Sequence, residues 1–109
     1  QPLQRLIVKT GAHIYFIKTE QIDWIESAGN YVVLHAGKEK HLYRETLKTL
    51  EKQIDSERFV RVHRTSIVNI DRIVEMRPST HGDFVLVLDN RTELTLSRHF
   101  RDQFQARLC

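Results

Sequence analysis

The sequence predicts a mostly β domain of short antiparallel strands, with one mid-chain helix and one C-terminal helix. Short apolar, β-branched runs recur along the chain with glycine or other turn residues between them. Only two segments, after Thr46 and after Ser97, change to helical spacing. A third observation is the run 84–88, Phe-Val-Leu-Val-Leu, which is apolar on both faces and so reads as a central strand between two layers.

Taken in order, Leu6-Ile7-Val8 and Ile14-Tyr15-Phe16-Ile17 flank Gly11 and read as a hairpin. Thr19-Glu20-Gln21 makes a brief turn, and 22–28 forms the next strand. Gly29-Asn30 turns it into 31–35, and Ala36-Gly37-Lys38 leads on to 40–44. These five strands in succession predict a meander. Tyr15, Phe16 and Trp24 read most simply as core, and Glu20, Asp23 and Glu26 as an acidic solvated rim.

Leu47, Leu50 and Ile54 then recur at helical spacing behind a Thr46 cap, with Lys48, Glu51 and Lys52 turned outward. This helix is expected to cover a sheet edge or end. In 59–69, Val60 and Val62 fall on one face of an extended segment and Arg61 and His63 on the other, because strand side chains alternate. Arg64, Thr65 and Ser66 add donors before Ile67-Val68. The composition of 78–83 marks a surface loop. Leu94 and Leu96 alternate with Glu93 and Thr95 in a last strand. Phe100, Phe104 and Leu108 give 97–108 one apolar helical face behind a Ser97 cap. Arg98, His99 and Arg101 crowd that helix's first turn, where cations oppose the macrodipole, so an anion is expected there.

At 109 residues the chain is one domain, able to build a single core without staples. It begins without Met or a signal-peptide pattern, which reads as a piece excised from a longer protein. No apolar run approaches the roughly 20 residues of a membrane helix, so no membrane partner is expected. The one cysteine, Cys109, excludes an internal disulfide and any Cys-cluster zinc site, and points to a reducing, cytoplasmic compartment. A net charge of +3 is compatible with an anionic partner if the cations cluster.

They do cluster in sequence, at Arg61-His63-Arg64 and at Arg98-His99-Arg101, with Asn30 and Tyr31 at a third strand junction. Guanidinium forks can read guanine edges in the major groove, while hydroxyls and imidazoles hold phosphates, a division of labour that fits duplex DNA. Solvated turns with salt bridges to Glu57, Asp71 or Asp102 account for the same residues. The six histidines form no His-Glu-x-x-His pattern, so no metal and no cofactor are expected. A two-imidazole nuclease using His63 and His99 is conceivable chemistry. The chain nevertheless lacks a phosphate loop, a nucleophile elbow and paired carboxylates near a helix, and is expected not to be an enzyme.

Three separated motifs carry a resemblance: Ile25-Glu26-Ser27-Ala28-Gly29-Asn30-Tyr31-Val32; the whole of 59–69; and Leu94-Thr95-Leu96-Ser97-Arg98 before a Phe. In this order, across about 6–108, the chain resembles the LytTR DNA-binding domain of bacterial response regulators. The resemblance implies stacked antiparallel sheets with small helices, and promoter binding through loops that enter successive major grooves and bend the duplex. It implies base reading by Asn30, Tyr31, Arg64 and Arg98, with Lys9, Arg61, His63, Ser66, Ser97, His99 and Arg101 on phosphates and Asn69 closing a turn. Arg64 stands where the family is often polar, so the base it reads is open. The resemblance further implies double-stranded promoter DNA in direct repeats, two copies per operator with possible homodimerisation there, and a receiver-like regulatory domain before Gln1. A protein-interaction β module whose basic loops dock an acidic partner is the competing reading.

Overall fold

The computed structural model describes residues 1–108; Cys109 lies outside them. Strands β1 (Arg5–Thr10) and β2 (His13–Lys18) form a hairpin that is a sheet of its own. Gly11 at φ 58° makes its turn. A turn of 3-10 helix, Thr19–Gln21, leads to β3 (Trp24–Ala28), β4 (Tyr31–Ala36) and β5 (Glu39–Tyr43). Helix α1 (Leu47–Gln53) precedes the hairpin β6 (Phe59–His63) and β7 (Ser66–Asn69). A second 3-10 turn, Ile70–Arg72, leads to β8 (Ile73–Pro78), β9 (Phe84–Leu88), β10 (Glu93–Leu96) and helix α2 (Arg98–Leu108).

The predicted five-strand meander is therefore corrected to three strands, β3 to β5. The β6–β7 hairpin docks beside β3, giving the order β5-β4-β3-β7-β6, all antiparallel, while β10-β9-β8 makes a third sheet with β9 central as expected. The five-stranded sheet has a core on each face. On one, Leu6, Val8 and Ile17 of the β1–β2 hairpin meet Leu47 and Leu50 of α1 over Ile25, Val32, Leu34 and Ile67. On the other, Leu86, Leu88, Leu94 and Leu96 join Phe104 of α2 over Val60, Val62 and Val68. Strand alternation does this: neighbours in β6 feed opposite cores, Phe59 the first and Val60 the second.

The Thr46 cap is present, its Oγ1 accepting from the Thr49 N–H at 3.2 Å. Helix α1, however, packs on the face of the central strands through Leu47 and Leu50, not on a sheet edge. Two further expectations fail at the β1–β2 hairpin, which buries one of its two faces and leaves its tip open. Phe16 pairs with Ile7 on the outer side and is 64% exposed, while Tyr15, opposite Val8 on the covered side, lies toward the hairpin tip and is 43% exposed beside His41. Asp23, read as solvated rim, is buried: its Oδ2 accepts from Gly37 N–H at 2.9 Å and its Oδ1 lies 3.2 Å from Arg72 Nε. Ile22 is buried ahead of the ladder, so β3 starts two residues later than apolar pattern alone indicates.

Asn69 is fully buried and has the expected structural role. Its Nδ2 donates to the Ile22 carbonyl at 2.9 Å and its Oδ1 accepts from Asp71 N–H at 3.0 Å. It thereby locks the end of β7 to the entry of β3.

Candidate nucleic-acid interface

Antiparallel pairing puts the β3–β4 and β6–β7 turns at one end of the five-stranded sheet. Ala28 pairs with Tyr31 around Gly29-Asn30, and Glu26 of β3 pairs with Ser66, the first residue of β7. The Ser27 N–H donates to the Thr65 carbonyl at 3.0 Å and ties the two turns together. Two strand spacings separate the hairpin centres, or about 10 Å, close to the roughly 12 Å width of a major groove. Gly29 at φ 67° supplies the left-handed conformation that this two-residue turn requires.

The third element arrives beside them. The Ser97 N–H donates to the Val62 carbonyl at 2.9 Å, so the junction of β10 with α2 lies against β6 two residues before Arg64. Asn30, Tyr31, Arg64 and Arg98 are all exposed, and three bonded junctions carry them along one edge.

Arg98 is held from behind by the β8–β9 turn. Asp83 Oδ1 accepts from the Arg98 N–H at 2.9 Å, and a Cβ built on Gly82 (φ 83°) would sit 3.6 Å from both Cβ and Cδ of Arg98. Ser97 Oγ accepts from His99 N–H at 3.3 Å, as the predicted cap, and the Ser97 carbonyl accepts from Phe100 N–H at 2.9 Å. The anion expected at this helix start is thus Asp83 of the chain itself, and the first three amides of α2 are satisfied internally.

The remaining predicted residues divide. His63, His99, Arg101 and Ser97 lie at or next to these junctions, with His63 Nδ1 at 2.8 Å from Thr65 Oγ1 and 3.2 Å from the Thr65 N–H it accepts. Arg101 is 4.0 Å from Asp102. Lys9 is elsewhere: it sits on the outer face of the β1–β2 hairpin, in the layer opposite α2. Ser66 is buried, which removes its hydroxyl from a phosphate-facing surface. Arg61 is turned inward, donating to Glu51, His63 and Arg64, where a phosphate ligand was expected.

Sequence reasoning passed over Arg44. It follows β5 in register opposite Tyr31, and its guanidinium carbon lies 6.0 Å from the Tyr31 ring centroid, adding a cation to the first tip. The register of β4 with β5 was the signal available for it. Asp83 gave no sequence signal, because the contact spans fifteen residues and one turn. Among the described residues no group of three or more His, Cys, Asp or Glu side chains could hold a metal ion, and no helix is long and apolar enough to cross a membrane.

The chain is similar to the transcriptional regulatory protein LytR of Staphylococcus aureus (strain N315), 26% identical over 103 residues, which cover 94% of this chain and 42% of that protein. It is likewise similar to the sensory transduction protein LytT of Bacillus anthracis, 24% identical over the same shares. It spans about two fifths of the length of these relatives. The solved LytTr DNA-binding domain of a methyl-accepting/DNA response regulator from Bacillus cereus has the same fold, with a TM-score of 0.88 at 23% identity over 97% of both chains. The model of the LytTr DNA-binding domain matches residues 12–109, and the chain belongs to that family of DNA-binding domains.

Proposed function

We propose that this domain reads double-stranded DNA sequence-specifically, through loop side chains inserted into the major groove, as the output domain of a bacterial transcriptional regulator. The supporting observation is the row of three bonded junctions that presents Asn30 and Tyr31, Arg64, and Arg98 along one edge. In this reading these four residues contact bases. Arg44, His63, Ser97, His99 and Arg101 track the phosphates, while Lys9, Arg61 and Ser66 drop out of the footprint. Relatives more than twice as long fit a receiver-like regulatory domain elsewhere in the regulator. The reading extends to a cytoplasmic setting and an operator of paired direct repeats occupied by two copies.

Selection from random duplex oligonucleotides tests this, and recovery of one motif is the expected result. On that motif Arg98→Ala costs about 1–3 kcal/mol and relaxes preference at one base position. Log K falls with log salt by about 0.9 per phosphate neutralised. Failure to enrich any motif, or identical binding of motif and scrambled duplex by wild type, overturns the proposal.

A further inference from the structure

Arg61 occupies an unusual position for a residue in a basic cluster. Val60 and Val62 point into the second core, so Arg61 emerges on the α1 side of the sheet. There one guanidinium touches three separate parts of the fold. Its Nη1 donates to Glu51 Oε1 of α1 at 2.9 Å. Its Nε donates to the His63 carbonyl at 2.9 Å and its Nη2 to the Arg64 carbonyl at 2.6 Å. Its Cζ stands 5.9 Å from the ring centroid of Phe100, in the first turn of α2. The side chain is 15% exposed. A register shift between Arg61 and His63 bends β6 here, which brings the two turn carbonyls within reach of the side chain that precedes them.

Building on the DNA-reading proposal, we propose that Arg61 is a positioning residue for sequence reading: it holds the β6–β7 turn at a fixed place relative to α2, so that Arg64 and Arg98 meet the duplex at a set spacing. The Ser27–Thr65 and His63–Thr65 hydrogen bonds hold the far side of the turn, and the guanidinium adds the tie on the carbonyls of residues 63 and 64, the side that carries Arg64. Phe100 lies two residues beyond Arg98, so the same guanidinium that laces the second contact tip also buttresses the third. Glu51 anchors the assembly from α1, in the layer facing away from α2. The work requires a planar fork with several donors in fixed directions, which a lysine ammonium does not supply.

The decisive experiment compares wild type, Arg61→Lys, Arg61→Met, Glu51→Ala, Arg64→Ala and Arg98→Ala on the selected duplex and on a scrambled duplex, across a salt series, with a thermal melt of each protein. Arg61→Lys is expected to lower the ratio of selected to scrambled affinity by about tenfold, a coupling within the range seen for residues in one network. Its salt slope should stay at the wild-type value. In an Arg64→Ala background the same change should lower the ratio much less. Glu51→Ala, which leaves the guanidinium in place, should reproduce a smaller loss of ratio and serves where the Arg61 variants melt too low to assay. A phosphate ligand behaves otherwise: lysine substitutes for it, and Arg61→Met weakens both duplexes equally while the slope falls by about 0.9. That pattern overturns the inference, and so does a lowered melting temperature with an unchanged affinity ratio. Arg98→Ala separates the two levels, because an unchanged ratio in that variant refutes the DNA-reading proposal itself.

Discussion

Asp83 offers the most incisive test of how the contact edge is built, because its carboxylate does two things that substitution can separate. It accepts the Arg98 N–H at 2.9 Å and places a negative charge at the start of α2, whose first turn carries Arg98, His99 and Arg101. Removing a capping acceptor costs about 0.5–2 kcal/mol, and losing the favourable charge–dipole contact about 0.3–1 kcal/mol. Asp83→Ala should therefore lose about 1–2 kcal/mol. For a domain of this size that is roughly 4–16 °C in Tm, at about 4–8 °C per kcal/mol. Asp83→Asn keeps an acceptor and should lose about 0.5 kcal/mol. On DNA the two variants part further. A carboxylate about 8 Å from a phosphate repels it by about 0.5 kcal/mol in water, less after screening over a Debye length of about 8 Å. Asp83→Asn should thus bind the selected duplex up to twofold tighter, most visibly at low salt. Asp83→Ala frees the Arg98 backbone and should bind several-fold more weakly. Urea melts with fluorescence anisotropy on labelled duplex measure both quantities. Equal stability of Asp83→Ala and wild type would refute the capping role, and equal weakening of binding by both variants would refute the charge argument.

Two other perturbations address the frame and the first tip. Asn69→Ala strands the buried Ile22 carbonyl and the Asp71 N–H, and at about 1–3 kcal/mol for each unsatisfied group it should cost about 2–4 kcal/mol in a urea melt; a loss under 0.5 kcal/mol would mean that the site relaxes or admits water. Arg44→Ala removes a cation beside Tyr31 and should weaken selected and scrambled duplexes alike, reducing the salt slope by about 0.9. A loss confined to the selected duplex would make Arg44 a base reader instead.

Much of the frame was legible because it depends on local periodicity. The β1–β2 hairpin, the Thr46-capped helix, the doubly apolar β9 and the Phe100/Phe104 face of α2 all follow from spacing and turn residues. Phe16 misled because an apolar side chain in a hairpin is core only if its face is covered, and nothing local says which face that is; Tyr15 is on the covered face but lies toward the open tip. Asp23 misled in the opposite direction: its partners Gly37 and Arg72 come from the β4–β5 turn and the 3-10 turn after β7. Arg61 and Arg64 are three residues apart in the same basic cluster, yet one is laced inward and the other is exposed. Composition cannot tell them apart.

By itself the sequence determined the strand and helix inventory, the alternation that sends Phe59 and Val60 to opposite cores, and the residue types able to meet nucleic acid, since each rests on chemistry within a few neighbours. Tertiary structure decided that the β6–β7 hairpin pairs with β3 and that the β10–α2 junction closes on β6, through the Ser27–Thr65 and Ser97–Val62 hydrogen bonds. Those bonds join residues more than thirty positions apart, where loop closure and the burial of both sheet faces select the partner. Whether a cation faces solvent or a carbonyl was settled at the same level.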